Sequence, residues 1–88
     1  MPESQTISRV PPVEELLGEF VVTLVLTASA YLDPPQGAPV DLASAEIALD
    51  AAGNSFERIR PRLRPEQHAM LSGLLTEARM AFVRKRGT

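Results

Sequence analysis

Eight prolines, at positions 2, 11, 12, 34, 35, 39, 61 and 65, divide this chain of 88 residues into three proline-free runs, each long enough for a helix. Proline has no backbone N–H and its ring clashes with the preceding helical turn, so helix interiors must lie between these positions. Pro12 and Pro65 suit a first helical position, and Glu14, Glu15 and Glu66 follow them where the positive end of the helix dipole favours an acid. Residues 33–39 (DPPQGAP) are dense in turn and breaker residues and read as a loop, and Asp41 stands as an N-cap just beyond it. Pro61 ends the second run. The pattern predicts an all-α fold of three helices, about 13–32, 41–60 and 65–86.

Side-chain periodicity supports each helix. Leu42, Ala45, Leu49, Ala52, Phe56 and Ile59 recur in steps of three and four on one face of the second, with Gly53-Asn54-Ser55 as a weak patch. The third carries Leu71, Leu74, Leu75, Ala78 and Phe82 on one face, and Arg84, Lys85 and Arg86 suit its negative end. The only β-branched cluster, within Val21-Val22-Thr23-Leu24-Val25, lies inside a segment of helical periodicity that is too long for a strand.

The first helix is apolar on two sides. Leu17, Phe20, Val21, Leu24, Ala28 and Tyr31 share a face wide enough to cover the other two helices, while Val22, Val25, Leu26 and Ala30 form a second stripe with Gly18, Thr23 and Ser29 in the gaps. A three-helix monomer has no means of burying both sides unless helices 2 and 3 straddle helix 1. The alternative is a bundle completed by homo-oligomerisation, helix 1 against its copy, through Val22, Val25, Leu26, Ser29 and Ala30.

A chain of this length, with no internal repeat, fits one domain at residues 13–88. The preceding residues 1–12 hold three prolines and only Ile7 and Val10 as sizeable apolar side chains beyond Met1, a composition expected of a flexible tail. They lack a basic start followed by an apolar stretch, so no signal peptide is expected. The longest uncharged run, residues 20–32, falls short of the roughly 20 apolar residues of a membrane span. Cytoplasmic location without membrane association is therefore expected. Cysteine is absent, which excludes disulfides and thiol chemistry, and a single histidine excludes a zinc site of the usual Cys/His type.

Charge is unevenly placed. Residues 1–57 hold nine acids against Arg9 alone, whereas residues 58–88 hold eight bases against Glu66 and Glu77. Arg58, Arg60, Arg62 and Arg64 alternate through the connection between helices 2 and 3, a cluster able to grip phosphates bidentately. The whole chain is acidic, however, and lacks the aromatic platform of single-strand binders. Neutralisation by acidic surface on helices 1 and 2 is the favoured role, and an anionic partner such as RNA or DNA is the alternative.

No catalytic constellation emerges. His68 sits in the first turn of helix 3 beside Glu66 and Gln67, and only Ser72 lies at helical spacing from it. Glu46 and Asp50 lie off the apolar face of helix 2, as solvated carboxylates do. The five glycines are isolated, so no phosphate-cradling loop or dinucleotide fingerprint exists.

Residues 20–84 resemble the domain of unknown function 1844 family. The likeness runs through the apolar helix FVVTLVLTASAYL, the Pro/Gly loop, Asp41-Leu42-Ala43-Ser44-Ala45 with Ile47, Leu49 and Asp50, then Leu63, Pro65-Glu66, Leu71, Leu74-Leu75 and Arg79-Met80-Ala81-Phe82-Val83. Its most distinctive part is the ending Leu-Leu-x-Glu-x-Arg-Met-x-Phe-Val. Pro61, Arg62 and Arg64 stand where the family has Gly or Asn and a capping Thr, which makes the arginine cluster particular to this chain. The resemblance implies a small helical bacterial protein, cytoplasmic, with no catalytic residue or cofactor to carry over. The expected function is thus a non-catalytic assembly module that binds itself and a protein partner, with nucleic-acid association as the alternative.

Overall fold

A computed structural model describes residues 10–87. Three helices follow one another: α1 (Val13–Leu32), α2 (Leu42–Ile59) and α3 (Pro65–Gly87), with a 3-10 turn, Arg60–Arg62, between the last two. No strand occurs among the described residues, and Val21–Val25 lies within α1. The flexible tail expected at residues 1–12 falls mostly outside the described part; within it, Val10 is exposed and Pro12 occupies the N-cap of α1.

Each boundary has a local cause. The carbonyl of Pro12 accepts from the N–H groups of Glu15 and Leu16, which starts α1 without a side-chain cap. After Leu32, the N–H of Ala38 donates to the carbonyl of Pro35 at 3.0 Å, closing a turn whose third residue, Gly37, has a φ of 91°. Glycine adopts that left-handed conformation without steric cost. The loop is tied back where the N–H of Asp41 donates to the carbonyl of Tyr31.

Asp41 then caps α2. One carboxylate oxygen accepts from the N–H of Ser44 at 3.0 Å and the other from its hydroxyl at 2.7 Å. The Ser44 backbone bond first, and its hydroxyl second, hold the Asp41 carboxyl below its ordinary value of 3.8. Because the folded state favours the ionised form, this contribution to stability is complete above that ordinary value and is lost as pH falls through the lowered one. Asp41→Ala is accordingly expected to lower the thermal midpoint at neutral pH, with a difference from the parent that shrinks on acidification; an equal difference at all pH values would contradict the cap.

Pro61 converts the end of α2 into the 3-10 turn. At α3 the capping is unusual: Arg64 supplies no side-chain acceptor, but Gln67 reaches back so that its Oε1 accepts from the Arg64 N–H at 3.0 Å. This is the return half of a capping box, made by glutamine alone.

The core is one cluster drawn from all three helices. Val21, Val25, Ala28 and Leu32 of α1 meet Ala45, Ala48, Leu49, Ala52, Phe56 and Ile59 of α2, and Leu71, Leu75 and Ala78 of α3. Small residues along α2 let α1 approach along most of its length. The weak patch at Gly53 has a packing reason, since the Arg79 guanidinium lies where a Cβ would stand. Near the α1 start, Gly18 faces Leu71; near its end, Ser29 and Leu32 share a cleft with Ala81, Arg84 and Lys85. α1 and α3 therefore run side by side in the same direction, with α2 antiparallel to both.

Candidate association interface

α2 and α3 pack on neighbouring sides of α1 and also on each other, so α1 is not sandwiched between them, and this corrects two expectations about its faces. Val25, expected in the outward stripe, is only 4% exposed because it points between the two neighbours, and Val22 is half-buried against the same core. Phe20 and Tyr31, expected inward, are 49% and 37% exposed. The two neighbours leave the far side of α1 open. Leu26, 63% exposed, and Ala30 stand on the open face as expected, while Ser29 is exposed at the α3 edge.

The open face is a seam. Leu16, Phe20, Thr23, Thr27 and Ala30 recur in steps of four and three, the spacing that keeps side chains aligned along a helix pair. Leu26 and Tyr31 flank it, and no charged residue occurs between Phe20 and Leu32. Its polarity is lower than its threonines suggest, since the Thr27 hydroxyl donates to the Thr23 carbonyl at 2.8 Å. Charge borders the seam at its start, where Glu15 and Glu19 are exposed.

By length and composition α1 is also apolar enough to cross a membrane, which the uncharged run alone did not suggest. A mostly buried core helix of a soluble protein and a signal sequence pass the same test, and 22% of the apolar window of α1 is buried.

The structure places the arginine cluster among carboxylates. Arg60 lies 3.6 Å from Glu57 of α2, Arg62 3.3 Å from Glu14 of α1 and Arg64 3.5 Å from Glu66 of α3. Only the Arg62–Glu14 pair joins elements distant in sequence, and it is the most shielded: the Glu14 oxygen facing Arg62 is closed off from solvent without a well-aligned hydrogen bond. Arg58 makes no ion pair among the described residues and borders a shallow cleft with Val13, Leu17 and Asn54. Such exposed pairs contribute about 0–1 kcal/mol each.

His68 is half-buried, its ring centroid 5.4 Å from that of Phe56, in an inter-helix contact between α3 and α2. Among the described residues no group of three His, Asp or Glu side chains could hold a metal.

These features define an all-α, three-helix protein in which α1 leaves an apolar face uncovered. No family model, curated protein or solved structure matches the chain. The resemblance to the 1844 family accordingly stands on the residue order quoted above.

Proposed function

We propose that the protein is a non-catalytic assembly module that associates with a copy of itself through α1. The observation that carries this is the seam of exposed Leu16, Phe20, Thr23 and Ala30 with half-buried Thr27 among them and exposed Leu26 beside it. Burial of an apolar side chain contributes roughly 1.5–3 kcal/mol relative to leaving it in water, so covering Leu16, Phe20 and Leu26 drives association. The ion pairs of Arg60, Arg62 and Arg64 support their role as partners of the chain's own carboxylates over that of a nucleic-acid grip. The resemblance to the 1844 family is in keeping with the helical fold and brings no catalytic residue to carry over.

Self-association makes folding depend on concentration, because whatever binds the folded state alone stabilises it by mass action. The thermal midpoint is therefore expected to rise steadily across a hundredfold increase in protein concentration. A midpoint that stays constant over that range would contradict the proposal.

A further inference from the structure

The side of α3 turned away from the core is also uncovered. Ala69, Gly73, Thr76, Met80 and Val83 recur in steps of four and three, opposite the buried Leu71, Leu75 and Ala78. All five are exposed, Met80 at 55% and Val83 at 52%. A Cβ added at Gly73 would meet nothing, so no neighbouring element lies over the stripe there. Over its last turns the stripe is an open cleft in which Met80 and Val83 are walled by Arg79 and Arg84. Arg79 lies over Gly53 of α2, and Arg86 sits against the Phe82 ring. Arg84 borders a second cleft that also holds Asp33, without pairing to it. None of these three arginines makes an ion pair among the described residues, in contrast to Arg60, Arg62 and Arg64. Beyond the first turn of α3, Glu77 is its only acid.

We infer that this face docks an amphipathic helix of a partner protein, one whose apolar stripe is bordered by Asp and Glu. The shape argues for a helix. Steps of four and three keep the stripe straight along α3, and a helical face has no free N–H or C=O groups with which an extended segment could pair. A docked helix satisfies its own backbone and needs only an apolar stripe to fill the cleft. The charge argues for acid. In such a helix pair the residues bordering one stripe lie against those bordering the other and select the partner, and here the charged border is Arg79, Arg84 and Arg86 against Glu77 alone. A copy of the same face laid on it about a two-fold brings net positive charge against net positive charge, which disfavours self-pairing here. Nucleic-acid phosphates would meet the arginines and leave Met80 and Val83 in water. The face shares no residue with the α1 seam, so the inference stands independently of self-association.

The probe is a fluorescent synthetic peptide of about three heptads, with Leu at the stripe positions and Glu at the bordering ones, beside a second peptide with Lys in place of Glu. Like charges at the borders keep each peptide from pairing with itself. Anisotropy is read against the full-length protein and its Met80→Glu, Arg84→Glu and Arg79→Glu/Arg84→Glu forms, whose helical circular dichroism is expected to match the parent because these side chains are exposed. The acidic peptide is expected to bind the parent and to bind Met80→Glu and Arg84→Glu about tenfold more weakly or worse. The lysine peptide is expected to bind only the double variant. Equal binding of both peptides to the parent, acidic-peptide binding that Met80→Glu and Arg84→Glu leave unchanged, or no binding at all would each overturn the inference. Phosphatidylglycerol vesicles and a poly(U) strand are tested alongside; binding of either through Met80 and Arg84, without the acidic peptide, would overturn it in favour of a membrane or RNA. Self-association of the Leu26→Glu protein that disappears on adding Met80→Glu would put a second copy in the cleft and overturn it too.

Discussion

Leu26→Glu is expected to separate the assembled protein into folded monomers. Leu26 is 63% exposed in the single chain, so a glutamate there meets water and leaves the core of Val21, Val25, Ala28 and Leu32 untouched. In the associated state the same carboxylate is enclosed against an apolar seam without a partner, which costs several kcal/mol. Each 1.4 kcal/mol is a tenfold change in affinity, so self-association is expected to weaken by about a hundredfold or more. The check is a pair of measurements on one sample, helical circular dichroism for the fold and sedimentation for the mass. Unchanged mass would move the interface elsewhere. Val22→Glu is a poorer test, because Val22 packs against the core and its loss would unsettle the fold as well.

The second large effect lies inside the monomer. Leu71 is 2% exposed and holds the start of α3 against α1, where Gly18 lets the two helices approach. Leu71→Ala removes buried methyl groups and leaves a cavity, at an expected cost of about 2–5 kcal/mol. That is a large share of the roughly 5–15 kcal/mol that holds a typical domain folded. A loss of 2 kcal/mol at this chain length lowers the thermal midpoint by about 8–16 °C. Met80→Ala, at a position 55% exposed on the outer face of α3, is the matched control and is expected to change stability by less than about 0.5 kcal/mol. Denaturant unfolding of both proteins checks the contrast; equal losses would mean that α3 packs through a different face.

The helices were legible because their ends carry strong local signals. Pro12, Asp41, Pro61 and Pro65 act within a turn of where they stand, and the observed elements begin and end within a residue or so of the positions they indicate. The inward faces of α2 and α3 were equally plain, since Glu46, Asp50 and Glu57 on one helix and Glu66 and Glu77 on the other mark the solvent side. α1 has no such marker after Glu19. Periodicity shows which of its residues share a face, but it does not show which of two apolar faces the neighbours occupy. Periodicity alone puts Phe20 inward and Val25 outward, the reverse of what is found. Ala48 of α2, buried between Ala45 and Ala52, gives little hydropathy signal because it is a small residue beside the main stripe.

The arginine cluster divides in the same way. Glu57 and Glu66 lie close in sequence to Arg60 and Arg64, so those pairs were within reach of local spacing. The pairing of Arg62 with Glu14 depends on how the 3-10 turn after α2 meets the start of α1, a tertiary fact with no trace in spacing.

Self-association requires that the uncovered face of α1 be covered by another copy of the chain. Light scattering coupled to size exclusion, on the unsubstituted protein at micromolar concentration, tests that directly against the 9.6 kDa mass of one chain. The expected mass is twice that of the chain. A mass of 9.6 kDa, constant as concentration is raised, would contradict it.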